Sequence, residues 1–306
     1  MLTKLLEGVS SKLADQWVAT LLTPAFIFWA GGLLAYVHRY SFTPIETWFQ
    51  QFSNPLQLGL IVIALCIVTA SAFVAQRFDT AVLRGLEGYW YPGLRRLSKP
   101  LLHWQKVRRR RLKATLNQLY PEVENNTATA AKRAKFAQCD LALRQLPTQE
   151  DDLLPTRLGN ILRAAERRPH DRYGLDAIIC WPHLWLLLPE AVRKDFQAAQ
   201  AELNNAVRLV FWGGLLCVWG IWAWWAIPIG LVAAYVAYGW AVDAAAVHAS
   251  LIEATFDLHR HLLYKALRRK LPVNPSTEKH EGKALTEYLW RGPDDNMPDF
   301  YDPPKS

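Results

Sequence analysis

The chain has 306 residues, 51% of them hydrophobic and 20% charged, with 14 Trp and a formal net charge of +8. Its four cysteines (Cys66, Cys139, Cys180, Cys217) are scattered without a CxxC pair, which argues against a disulfide framework and a zinc site and suits a reducing compartment. Trp17, Trp48, Trp222, Trp224, Trp225 and Trp240 cluster at the ends of apolar runs, as expected of rings at headgroup level and not of an ordinary soluble core.

Residues 1–17 carry Leu2, Leu5, Leu6, Val9, Leu13 and Trp17 at helical spacing and read as an uncleaved, interfacial amphipathic helix. Two uncharged runs follow, Val18–Val37 and Leu56–Ala75. Each matches the ~20 apolar residues that a helix needs to cross ~30 Å of hydrocarbon. Residues 18–75 are therefore a first transmembrane hairpin. In its outer loop Thr43, Pro44 and Glu46 predict a short helix with an N-cap, a proline at N1 and a capping-box glutamate. Trp48, Phe49 and Phe52 on it face the headgroups or lie as a lid on the span ends. If a pore exists, the second span is the candidate lining, with Ile63, Ile67 and Ser71 at a hydrophobic constriction that gates by dewetting. The same composition suits a helix packed in lipid.

From Gln76 to Ala206 there are 22 Lys plus Arg against 14 Asp plus Glu, whereas the loop from His38 to Pro55 carries only Arg39 and Glu46. Positive residues near span ends favour the cytoplasm, so residues 76–206 are expected there as a helical domain, with both termini on the same side. Leu112, Leu116 and Leu119 or Tyr120 mark one helix, Pro121–Thr129 a polar break, and Ala130–Leu146 a second helix. Leu158, Ile161, Leu162 and Ala165 mark a third. Arg108, Arg109, Arg110 and Arg111 form the densest charge cluster, and with Trp90, Tyr91 and Trp104 nearby they point to anionic lipid headgroups ahead of nucleic acid. A solvated helix face explains them equally well. The run Ile178–Leu188 is too short to cross a bilayer and is expected to be a core element or a segment on the inner leaflet.

Val192, Phe196, Ala199, Leu203 and Ala206 hold one helical face that runs without a break into the third apolar run, Leu209–Val242. Pro228 and the surrounding aromatics predict a turn at about residues 222–228. Residues 207–247 then form a second hairpin with spans of about 207–221 and 227–247. A single tilted helix would instead put Arg268, Arg269 and Lys270 on the opposite side from the basic central region, against the positive-inside rule. Small residues recur four apart at Ala226, Gly230 and Ala234 and at Ala233, Ala237 and Ala241, a helix contact face within or between chains. Residues 248–271 read as a basic amphipathic helix. Residues 272–306 read as a largely disordered tail with a helix near Ala284–Trp290, or as a peptide ligand for a protein partner.

Phe28–Leu34 (FWAGGLL) and Phe211–Leu216 (FWGGLL) echo one another, through tandem duplication or through convergence of two hairpins. No GxSxG, HExxH, Walker A or GxGxxG motif is present, and no catalytic residue, cofactor or metal ligand is assigned. His259 and His261 beside Asp257 are alternate residues on a predicted helix and point to different faces. Glu166 and His170 have Pro169 between them, against a helix-surface pair.

The segments Pro155–Glu166 (PTRLGNILRAAE), Arg172–Pro182 (RYGLDAIICWP) and Leu86–Pro92 (LEGYWYP) resemble stretches of uncharacterised bacterial multi-span membrane proteins. The order of two spans, helical insert, two spans and tail is similar to bestrophin-type anion channels in architecture, with no pore residue matched. The expectation is an all-α integral membrane protein of the bacterial inner membrane, two transmembrane helical hairpins with a cytoplasmic helical bundle. It is expected to act as a homo-oligomeric ion channel or as a membrane-anchored scaffold or signalling protein without a pore.

Overall fold

The computed structural model describes residues 24–90, 93, 95–293 and 301, and among these every regular element is helical. In chain order the α-helices are α1 (Pro24–Tyr40), α2 (Thr43–Gln50), α3 (Asn54–Arg77), α4 (Asp79–Glu87), α5 (Arg95–Glu124), α6 (Ala130–Arg144), α7 (Arg157–Tyr173), α8 (Ala177–Leu187), α9 (Glu190–Leu216), α10 (Ala226–His259), α11 (His261–Ala266) and α12 (Pro275–Arg291). The chain divides into two compact units, residues 1–83 with 204–241 and residues 84–203 with 242–306. The N-terminal helix expected over 1–17 and the end of the tail lie outside the described residues.

In the first unit, Ala25 of α1, Val68 and Ala75 of α3 and Trp212 of α9 form a small buried core, with Phe26, Phe28 and Phe211 packed against it. Its helices approach closely because small residues line the crossings. A Cβ on Gly32 would fall 2.5 Å from the Trp219 ring, so the indole lies on the α1 backbone, and its Nε1–H donates to the Phe28 carbonyl at 3.0 Å. A Cβ on Gly213 would meet the Ala234 backbone N at 2.7 Å, and one on Gly230 the Gly213 carbonyl oxygen at 2.8 Å. Gly230 and Ala234 of the α10 stripe thus pack on α9 within the chain, whereas Ala233 is exposed. Gly31 and Gly32 accommodate side chains from residues 216 and 219, whereas Gly213 meets backbone, so the two echoed motifs do different jobs.

The third apolar run breaks earlier than its proline suggests. α9 ends at Leu216, a 3₁₀ turn covers Cys217–Ile221, and α10 begins at Ala226, so Pro228 sits inside its first turn. Proline is tolerated there because the N–H groups of a first turn have no intrahelical partner. At α2 the cap also shifts: Phe42 is the N-cap, without a side-chain hydrogen bond, Thr43 is already helical, and Glu46 accepts from Gln50 Nε2 at 3.1 Å.

The second unit is built on α7 and α8. Thr156 caps α7 by accepting from Gly159 N, Gly174 ends it at φ 75°, and Leu158, Ile161, Leu162 and Ala165 are buried along one face. Asn160 is fully buried and satisfied: its amide bonds Leu154 N, Leu154 O and Thr156 O, each at 2.8 Å. Asp176 caps α8 through Ile178 N and Ile179 N. Ala177, Cys180, Leu184 and Leu188 then pack against Phe256, Leu263, Tyr264 and Leu285. The opposite face of α8 is apolar and exposed, Ile178 at 67% and Leu186 at 77%, so this short run is a core element on one side only.

Two expectations for this unit change. Residues 248–271 are not one helix: α10 ends at His259, α11 ends at Ala266, and Arg268 takes a left-handed φ of 53°. The region beyond 272 contains the 17-residue α12, capped by Asn274. Its hold on α7 and α8 comes from Gly282 against the Tyr173 carbonyl, from buried Leu285, and from Thr286 Oγ1, which bonds Gly174 O at 3.2 Å and Asp176 N at 3.1 Å. So few apolar side chains leave a weak periodic signal.

Glu87, at the end of α4, is half-buried. Burial and the nearby Glu166 charge, opposed by Arg84, push its carboxyl up to about 7. The folded state therefore binds this proton more tightly than the unfolded chain, so the stability it contributes is complete below the usual carboxylate range and is lost as pH rises through about 7. Glu87→Gln is expected to flatten the fall in thermal stability of the detergent-purified chain across that window. A slope identical to the parent's would contradict it.

Candidate membrane-embedded surface

Among the described residues two helices are long and apolar enough to cross a membrane, α3 and α10. An apolar helix in a water-soluble protein buries its surface. α3 does the reverse, because only Val68 and Ala75 of its 24 residues are buried. Leu56, Leu58, Ile61, Val62, Ile63, Ile67, Phe73 and Val74 are all exposed, covering several faces. On α10, Ile229, Leu231, Val232, Tyr235, Val236 and Trp240 are exposed as well, while Ala226, Ala237 and Ala241 are buried. Small residues are turned inward and large apolar ones outward, the inverse of a water-facing surface.

The polar groups near this surface are bonded locally. Thr69 Oγ1 donates to Leu65 O at 2.9 Å, and Ser71 Oγ donates to Val68 O at 2.7 Å while accepting from Trp29 Nε1 at 3.1 Å. At one end of the unit, Arg208 of α9 binds Asp79 of α4 in a fork, Nε at 2.9 Å and Nη2 at 2.6 Å from Oδ2, and the Phe78 and Phe211 rings stack beside it. Such a bidentate pair holds both charges where α3 passes into α4. Sequence reading missed the pairing, since 129 positions separate the partners and each is simply a charge bordering an apolar run.

The candidate residues of the pore separate from one another. Ile63 and Ile67, 56% and 51% exposed, face a groove of about 850 Å³ with Leu33, Trp48 and Phe49. Ser71 does not line that groove and is instead a link between α1 and α3. Gln57, at the start of α3, closes one side by donating to Phe49 O and Phe52 O at 3.2 and 3.0 Å.

The arginine cluster on α5 is also divided. Arg109 is mostly buried and bonds Thr148 O, with Glu150 at 3.6 Å. Arg110 forks onto Glu150 at 3.2 and 3.0 Å, and those hydrogen bonds hold the Glu150 carboxyl below the usual range. Arg108 lies over the Trp104 ring at 5.8 Å, and burial lowers its pKa. Arg111 is exposed. Two of the four thus fasten α5 to the segment after α6, leaving Arg111 and the outer side of Arg110 as the cationic surface.

Among the described residues no group of three or more His, Cys, Asp or Glu side chains is placed to hold a metal ion. Asp257 is engaged by Tyr173 Oη at 2.7 Å and by Arg172, and His261 Nδ1 lies 3.1 Å from Leu258 O. α7 continues through Pro169, yet His170 turns to Asp171, Nδ1 to Oδ1 3.8 Å, and not to Glu166. No family model, curated protein or solved structure matches the chain.

Proposed function

We propose that this chain is a multi-pass protein of the bacterial inner membrane. Its first unit is a lipid-embedded anchor, and its second is a cytoplasmic helical module held at the inner leaflet. The observation that carries the reading is α3, apolar on all sides with two buried residues, because leaving that area in water would cost about 25 cal/mol per Å². The Lys and Arg excess between Gln76 and Ala206 supports the cytoplasmic side for the second unit and for both termini. Exposed Arg111 then meets anionic headgroups, such a residue contributing ~1 kcal/mol, while Arg110 keeps its pairing with Glu150.

The competing reading is a pore in a ring of subunits, motivated by the two-plus-two layout and by exposed Ile63 and Ile67. The anchor is favoured because Thr69 and Ser71, the hydroxyls on the inner half of α3, are both bonded back to their own helix. Ile63→Ser and Ile67→Ser make the test. An anchor leaves liposomes ion-tight for the parent chain and both variants at equal incorporation; flux that rises with either serine would replace the anchor by a channel. A reporter fused after Ser306 is expected to respond as cytoplasmic and one within Ser41–Asn54 as periplasmic, and a periplasmic C-terminus would overturn the topology.

A further inference from the structure

The second unit contains a cavity of about 310 Å³ that the anchor reading does not use, at the small end of ligand sites. α7, α8, α9 and α10 contribute to its wall. Trp181, Phe196 and Ile252 supply apolar surface, and Glu166, Gln200 and His248 supply polar atoms. Its rings form a contiguous cluster, with Trp181 and Phe196 centroids 4.7 Å apart and the His248 ring at 4.5 Å from Phe196, and Trp185 stands behind the lining at 5.6 Å from Phe196.

Two features separate this cavity from a packing defect. His248 is 7% exposed, lines the cavity, and its Nδ1 has no hydrogen-bond partner among the described residues. A buried polar atom left unpaired costs ~1–3 kcal/mol, a penalty that a ligand or water in reach of the ring can relieve. Glu166 is the one formally charged side chain in the lining. Arg163 engages its Oε2 at 3.4 Å, and the Glu166 side chain is 39% exposed, so the carboxylate stands at the mouth of the cavity. A carboxylate at the edge of an aromatic wall suits a cation whose apolar body can lie against the rings, where cation–π attraction adds to the ion pair.

We propose that this cavity binds a small monocationic amine with an aromatic or apolar body, its ammonium on Glu166 and its body against Trp181 and Phe196, with His248 and Gln200 as hydrogen-bond partners. The size and the single carboxylate argue against a dianionic or nucleotide ligand. The site belongs wholly to the second unit, so it stands whether the membrane unit is an anchor or a pore.

The test is calorimetric titration of the full chain in detergent with phenethylamine, and with its neutral and acidic counterparts 2-phenylethanol and phenylacetate. Phenethylamine is expected to bind and to raise the melting temperature, phenylethanol to bind about tenfold more weakly, and phenylacetate not to bind. Glu166→Gln is expected to weaken phenethylamine about tenfold while leaving phenylethanol unchanged, a split that misfolding does not produce. His248→Phe, which keeps a ring and removes both nitrogens, is expected to weaken both ligands. Absence of phenethylamine binding at millimolar concentration, equal affinity for all three compounds, or unchanged affinity in Glu166→Gln would each overturn the proposal.

Discussion

Gly159→Ala is expected to destabilise the second unit by about 3 kcal/mol or more, at the upper end of the cost of overpacking a closed site. Gly159 is the third residue of α7, at the point where the helix passes the end of α4. A Cβ there would sit inside the van der Waals shell of the Glu87 carbonyl oxygen and 2.9 Å from Thr156 Oγ1. Both obstacles are fixed: the carbonyl belongs to backbone, and the hydroxyl is held by its own bond to Glu87 O at 2.8 Å while accepting from Gly159 N at 3.0 Å. Relief would have to separate α4 from α7 and break the helix cap with it. The measurement is the thermal midpoint of the purified chain, with Gly85→Ala as control, since a Cβ on Gly85 meets nothing within 4 Å. The control is expected to match the parent or exceed it by up to ~1 kcal/mol, because alanine is the better helix former. Equal midpoints for both variants would refute the close-approach argument.

Gly282→Ala is expected to release α12 from the unit. A Cβ at this position would collide with the Tyr173 carbonyl oxygen and approach the Gly174 carbonyl carbon at 3.3 Å, where φ of 75° leaves the turn no freedom to yield. Besides that contact, the helix is held by Leu285 in the core with Leu289 packed against it, by the two hydrogen bonds of Thr286, by the Arg260 ion pair to Glu278 with Nε to Oε1 at 2.6 Å, and by Arg269 lying over the Tyr288 ring at 4.8 Å. Losing the Gly282 contact therefore exposes the loop and helix from Pro272 to Arg291 ahead of global unfolding. Limited proteolysis reads this directly. Accelerated cleavage confined to residues 272–291, with the rest of the chain as resistant as the parent, is the expected result, whereas uniform sensitivity or parental resistance would contradict it.

These glycines show where local pattern stops informing. Leu158, Ile161, Leu162 and Ala165 were readable because a 3.6-residue period links each side chain to neighbours three and four positions away, and the apolar spans were readable from the length of their uncharged runs. Asp176, Thr156 and Thr129 cap helices through bonds to residues two or three positions on, which is again local chemistry. Glycine at 159 or 282 reads only as a weak helix former, since its missing side chain carries no record of the backbone that comes to rest there.

The same division runs through the sites. Net charge placed Arg108 to Arg111 on a basic face, but Glu150, some 40 positions away, determines that Arg109 and Arg110 are largely engaged within the fold. Hydropathy marked Leu209–Val242 as membrane-length, while the helix end at Leu216 and the place of Pro228 inside α10 follow from how Gly213, Cys217 and Gly230 meet. His248 and Glu166 were visible as residues and invisible as a site, because 82 positions separate them and only the packing of α7 through α10 brings both to one cavity. Composition and period act within a few residues along the chain, so they specify helices and their apolar faces. Cavities, ion pairs and backbone crossings join residues distant in sequence, and their energies depend on ångström-scale separations that no local pattern encodes.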